Sequence, residues 1–463
     1  DQQWKQAEQM CQNDEERANL YFMRAITPDA VTADEIRAIQ KFAPASRKTD
    51  LLLLREINKL EEQFLGYPYG GGWASNEAKG GPSTETLQRI DQLKSLVHET
   101  QGSGQMANPN LWDVSGAYLE YIGGDAKTAR AILAKLPKKG EDGARTRLLD
   151  LSIKIGSLTK VDAGVENSVL KDFYNLKEML PKEQVEELVM YRDDIFSDLY
   201  KSQGEVAKSL LASNSVSSVM MNPQVDVIND LMSFQDKSGK TLYEKELLGR
   251  LDNTYSRNDL LEMKGTALFA KNMLEEAIKV YEKLPEKYLT EHRFFRIGPD
   301  PFASNFRDII NCEPSCIEHK YTKLSLAKTL LNLQKKAASE PDKAGKYYHL
   351  LGNAYFNLSY YGACWKGLSY YRGYVWRGED QPSQDPQLTL AQRFYEKAMD
   401  ASSNQEISAL SCMMAAKCDV VETFSVIPDG FTYYDRMMGN YRGTEVYQKA
   451  IRECKYFSFY TKR

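Results

Sequence analysis

The sequence predicts an all-α chain, arranged as an irregular solenoid of helical hairpins with long aromatic loops. Three observations carry this. Apolar residues recur at three- and four-residue spacing along most of the chain. Three segments share a hairpin pattern in which small residues face an aromatic or Leu side chain. No run alternates apolar and polar residues between hairpin turns, so no strand is predicted.

The helical periodicity covers residues 2–25, 49–65, 84–99, 168–180, 182–202, 242–252, 257–270, 273–284, 321–338, 342–361, 387–401, 404–423 and 443–454. Thr32-x-x-Glu35 has the form of a capping box, in which a hydroxyl and a carboxylate close the first helical turn. Ser83-x-x-Thr86 reads as a second helix entry, and Pro181 stands where a helix restarts. The dense apolar patch Leu51–Leu54 reads as one turn of an amphipathic helix.

The breaks fall at Gly- and Pro-rich stretches. These are residues 66–82, 101–110, 286–320, 373–386 and 425–442. Soft boundaries follow at the second and third of them. The chain is therefore read as an N-terminal helical region (1–105), a repeat region (106–286) and a C-terminal region (287–463). Rings are interleaved in the loops, and rings favour packing over disorder.

The hairpin pattern is clearest at Tyr347–Met399. Leu351, Gly352 and Tyr355 mark its first helix, and Ala391, Tyr395 and Ala398 its second. An aromatic insert, residues 365–386, stands between them where a tight turn is usual. Two further copies lie 148 residues apart: Ala117, Ala129, Leu133 and Pro137 correspond to Gly265, Ala277, Tyr281 and Pro285. Small residues let two helices approach, the larger side chain fills the space beside them, and the proline marks the stop.

These motifs resemble the tetratricopeptide family, most clearly over residues 321–423 and less so over 111–137 and 257–285. The segments LLGNAYFNLSYYGACW and AQRFYEKAMDASSNQEISALSCMMAAKC are similar to tetratricopeptide proteins of Bacteroidetes envelopes. The resemblance implies stacked helical hairpins, a periplasmic protein or outer-membrane-associated lipoprotein, and no catalytic residue. A cytoplasmic protein is the alternative. Residue 1 is Asp rather than Met, so a leader or a longer N-terminal region is expected to have been removed.

Composition narrows the function. Over 463 residues, hydrophobic content of 42% and charged content of 27% fit a globular chain. The net charge of −4 offers no basic face for nucleic acid. No apolar run approaches the ~18 residues of a membrane-spanning helix. Seven cysteines leave at least one thiol unpaired, and Cys364, Cys412 and Cys418 read as buried free thiols in small-residue helices.

Cys312-x3-Cys316-x2-His319 places three metal-ligand residue types close together, one short of a closed zinc set. No metal or cofactor is therefore expected. Cys312 and Cys316 are left as a disulfide, if the chain is exported, or as two free thiols. The four histidines form no HExxH motif, and no GxSxG, P-loop or dinucleotide fingerprint occurs. The acid pairs Glu186-Glu187 and Asp193-Asp194 read as solvated helix faces.

Aromatic clusters are the remaining candidates. Tyr360, Tyr361 and Trp365 read as packing residues at a helix end. Arg372, Tyr374, Trp376 and Arg377 in the insert, with Tyr67, Tyr69 and Trp73 in the first glycine-rich loop, read as partner-binding. The expected function is a non-enzymatic scaffold of a cell-envelope assembly that holds a partner protein or peptide in a concave helical groove. The alternative is a carbohydrate-handling protein, either a glycan binder or an α-helical glycan-cleaving enzyme, that uses the rings as sugar platforms.

Overall fold

The computed structural model describes residues 2–27, 30, 32–65, 83–104, 106–292, 295–304, 306, 320–371, 385–422 and 430–462. The described residues are predominantly helical, as the periodicity predicts. They divide into two compact units, 1–204 with 241–243, and 205–240 with 244–463. The divisions expected near residues 105 and 286 fall inside the first and the second unit respectively.

The first unit carries α1 (Gln2–Met10), α2 (Asp14–Ala25), α3 (Ala33–Phe42), α4 (Arg47–Leu65), α5 (Thr84–Ser103), α6 (Pro109–Ile122), α7 (Ala126–Leu133), α8 (Gly140–Gly156), α9 (Ala163–Lys177) and α10 (Lys182–Ser202). Its core includes Ile36, Leu52, Leu53, Leu96 and Trp112. Leu51 and Leu54 face outward while Leu52 and Leu53 are buried, the amphipathic turn the sequence predicts. The Trp112 indole N–H donates to Asp50 Oδ1 at 2.8 Å, which gives the buried ring a polar partner.

The second unit carries α11 (Val206–Ala212), α12 (Val225–Asp236), most of α13 (Leu242–Thr254), α14 (Arg257–Ala270), α15 (Leu274–Tyr281), α16 (Glu286–Glu291), α17 (Lys323–Ser339), α18 (Ala344–Leu358), α19 (Pro386–Ala401), α20 (Gln405–Glu422), α21 (Thr432–Asn440), α22 (Glu445–Glu453) and α23 (Lys455–Tyr460). Its core includes Phe269, Leu326, Tyr355, Met413 and Tyr434.

Several expectations are corrected. Residues 2–25 form two helices, because the Asn13 side chain accepts from Glu16 N at 2.8 Å and starts a second one. Thr32 makes no side-chain cap, its backbone being helical (φ −90°, ψ −6°) rather than extended, and the Glu35 carboxylate that would close the box is held by the Arg24 guanidinium at 2.7 and 2.8 Å. Ser83 does cap α5, accepting from Thr86 N at 3.1 Å. Asp193 is buried, not solvated. It accepts from Arg192 Nε at 2.8 Å and from the Tyr243 hydroxyl at 3.0 Å. Helices α3, α8, α11, α12, α21 and α23 have no place among the predicted segments.

The stretch 286–320, expected to be irregular, begins with α16. It then forms strand β1 (Arg296–Ile297), which pairs antiparallel with β2 (Tyr321–Thr322), Arg296 facing Thr322. This short ladder ties the segment after α16 to the start of α17.

The three hairpins form as the spacing predicts. Helix α6 packs on α7, α14 on α15 and α18 on α19. Their turns also correspond: Asn272 has φ 58° and Gly124, 148 residues earlier, has φ 96°. A left-handed residue closes both turns, and Gly and Asn adopt that conformation at the lowest cost.

Candidate functional site: two polar seams on the first helices

The close approach predicted at the glycines is real. A Cβ added at Gly265 would lie 2.3 Å from the Tyr281 ring, and one added at Gly352 would lie 2.5 Å from the Tyr395 ring. In each hairpin the ring lies over the glycine and its hydroxyl reaches the next residue. Tyr281 meets Thr266 Oγ1 at 3.1 Å, and Tyr395 donates to Asn353 Oδ1 at 2.9 Å. Thr266 and Asn353 each belong to a buried polar seam with a residue one turn earlier, Glu262 and His349.

On α14, Lys323 Nζ donates to Glu262 Oε1 at 2.6 Å and to Thr266 Oγ1 at 2.9 Å. The Tyr370 hydroxyl donates to Glu262 Oε2 at 2.6 Å, and the Lys323 ammonium lies 4.7 Å from the centre of that ring. Lys323 is fully buried at the first position of α17, where the helix dipole disfavours a cation. Burial pulls its ammonium below the usual lysine range, and the Glu262 carboxylate opposes that shift. Both Glu262 oxygens are engaged, so the seam is a closed ion pair rather than an open amine.

On α18, His349, Asn353 and Asn357 stand four residues apart on one face. Asn353 Nδ2 donates to Phe302 O at 2.9 Å, and Asn357 Nδ2 donates to Pro301 O at 2.9 Å and Ala303 O at 3.0 Å. The Cys364 thiol donates to Pro299 O at 3.2 Å. Side chains thus hold four carbonyls of one short segment. Pro299 and Pro301 have no N–H, so those two positions present only acceptors to the amides.

His349 closes the seam. Its Nδ1 lies 3.0 Å from Ser411 Oγ, which itself donates to Ile407 O at 2.8 Å. Ser411 therefore accepts from the imidazole, which assigns the proton to Nδ1 and leaves Nε2 as acceptor toward Ser304 at 3.1 Å and Asn353 at 3.2 Å. Burial lowers the His349 pKa to about 4.

The ends of the aromatic insert are pinned to the same helices. Tyr370 binds Glu262 on α14. Asp385 caps α19 by accepting from Gln387 N at 2.8 Å, and its other oxygen accepts from Tyr360 N at 2.8 Å. Tyr360 and Tyr361 pack edge to face at 5.2 Å, in keeping with a packing role. The predicted contact residues Arg372, Tyr374, Trp376, Arg377, Tyr67, Tyr69 and Trp73 lie outside the described residues, as do Cys312, Cys316 and His319. Cys364, Cys412 and Cys418 are buried free thiols, as expected, and burial pushes Cys412 up to about 12.

Sequence reasoning missed the seams themselves. Their signal was a four-residue spacing of polar residues (Glu262, Thr266; His349, Asn353, Asn357) inside otherwise apolar helices. The sequence matches no protein-family model and no curated protein, and the fold matches no solved structure. No described helix is long and apolar enough to cross a membrane.

Proposed function

We propose that this chain is a non-enzymatic scaffold of the tetratricopeptide kind, resembling Bacteroidetes envelope proteins, that holds a partner protein or peptide against its first helices. One observation carries the reading. The amides of Asn353 and Asn357 hold backbone carbonyls of the chain's own residues 301–303, and side-chain amides on a helix face offered to an extended peptide would grip its backbone in the same way. The best candidates for acid–base work support it too. Lys323 is spent on Glu262, and His349 is neutral and bonded through both ring nitrogens.

The partner contacts are assigned to the insert carried between α18 and α19, with Arg372, Tyr374, Trp376 and Arg377 as its contact residues, and to Tyr67, Tyr69 and Trp73. The setting is a periplasmic or outer-membrane-associated assembly. The test is a Tyr374→Ala/Trp376→Ala double variant with unchanged helix content by circular dichroism. Partners captured by the wild type from the native membrane fraction are identified by mass, purified and titrated against both forms. Weakened binding of the purified partner by the variant is expected. Equal affinity for both forms overturns the reading.

A further inference from the structure

A cleft of about 490 Å³ is lined by Gln392 and Glu396 of α19, Asp419 of α20, and Phe431, Tyr433 and Arg436 at and within α21. That volume suits a small molecule. Glu396 Oε1 accepts from the Tyr433 hydroxyl at 2.7 Å, and Asp419 Oδ1 accepts from Gln392 Nε2 at 2.8 Å. Each carboxylate has thus one neutral donor and, among the described residues, no ion-pair partner. Arg436 is half-buried in the same cleft and, among the described residues, makes no hydrogen bond or ion pair. Burial, joined by the charge of Glu396 and opposed by the Gln392 hydrogen bond, raises the Asp419 carboxyl above its ordinary range.

Glu396 is exposed, whereas Asp419 and Arg436 are half-buried; a half-buried charge without a charged partner is costly, and a ligand that supplies the opposite charge offsets that cost. The cleft holds two carboxylates and one guanidinium that have no ion-pair partner among the described residues, and two aromatic rings. A sugar would satisfy hydrogen bonds but neutralise none of the charges. We propose that the cleft binds a small zwitterion with an apolar side chain. Its ammonium meets Glu396 and Asp419, its carboxylate meets the planar fork of Arg436, and its side chain lies against Phe431 and Tyr433. The shared chemistry fits a free amino acid.

The full chain is titrated calorimetrically at neutral pH with L-phenylalanine, phenethylamine, 3-phenylpropionate and glucose. L-Phenylalanine is expected to bind about tenfold or more tightly than either singly charged analogue, and glucose is not expected to bind. Arg436→Gln should abolish the preference for L-phenylalanine over phenethylamine. Glu396→Gln/Asp419→Asn should abolish its preference over 3-phenylpropionate. These are ratios between ligands on one protein, so a uniform loss of stability does not imitate them. If a variant fails to fold, the wild-type ranking decides alone. No binding of L-phenylalanine at millimolar concentration, equal binding of either analogue, or binding of glucose overturns the proposal. So does a folded variant that keeps the corresponding preference.

Discussion

The hairpin α6–α7 and the hairpin α14–α15 share one spacing and close on different pairs. In the first, Ala117 meets Leu133 in a small apolar cluster with Ala129 and Ile153. In the second, Gly265 admits the Tyr281 ring, and the ring brings a hydroxyl into the interior. At Gly265 the missing methyl group matters, because a Cβ there would lie 2.3 Å from the Tyr281 ring. The difference extends to the neighbouring residues of the first helix, Glu262 three before the glycine and Thr266 next after it. The counterparts of Glu262 and Thr266 in the first hairpin are Val114 and Tyr118, neither of them charged. The hairpin α18–α19 follows the second type, with Tyr395 over Gly352 and its hydroxyl on Asn353.

The largest test of this difference is Glu262→Ala. It strands the buried Lys323 ammonium and should cost roughly 3–5 kcal/mol in urea unfolding. Adding Lys323→Met should return most of that loss. Val114→Ala, at the matching place in α6, should cost far less, and a similar cost at both positions would erase the distinction.

The second test is pH. His349 is neutral in the fold, with a pKa of about 4 against an ordinary value near 6.5. Between those values the unfolded chain binds a proton that the fold refuses. Stability from this residue is whole above the ordinary value and falls as pH drops toward 4, by roughly 3 kcal/mol at the low end. His349→Gln should flatten that part of the profile relative to the wild type, and parallel profiles would count against the assigned neutral ring.

The third is the methyl group itself. Gly265→Ala should destabilise by about 1–3 kcal/mol through overpacking against Tyr281. Pairing it with Tyr281→Leu recreates the Ala117–Leu133 combination and should recover part of the loss. A strictly additive double variant would mean the two positions do not share the contact. The smallest effect is expected for Ala117→Gly, about 0.5–1 kcal/mol, mostly from helix entropy.

The fold was legible wherever a local rule governed it. The apolar period marks helices, Ser83 caps α5, and the repeated small residues mark the hairpins. Reading failed where a distant partner competed for a side chain. Glu35 fits a capping box by spacing, yet an arginine on another helix takes it. Asp193 stands beside a second acid and still lies buried, because Arg192 and Tyr243 supply it with donors. The candidate site was legible only as its apolar frame.

By itself the sequence determined that this is a helical protein, where three of its helical hairpins fall, and which glycines admit a ring. Those features depend on neighbours three or four residues away, or on the other helix of the same hairpin, as Gly265 on Tyr281 and Gly352 on Tyr395. Only the tertiary structure decided that Lys323 closes on Glu262, 61 residues distant, and that Asn353 and Asn357 hold the carbonyls of residues 301–303. It alone brought Glu396, Asp419 and Arg436 to one cleft. Burial makes such partnerships necessary, since a polar group removed from water needs a partner. No spacing within a helix names that partner; the packing of one helix on another does.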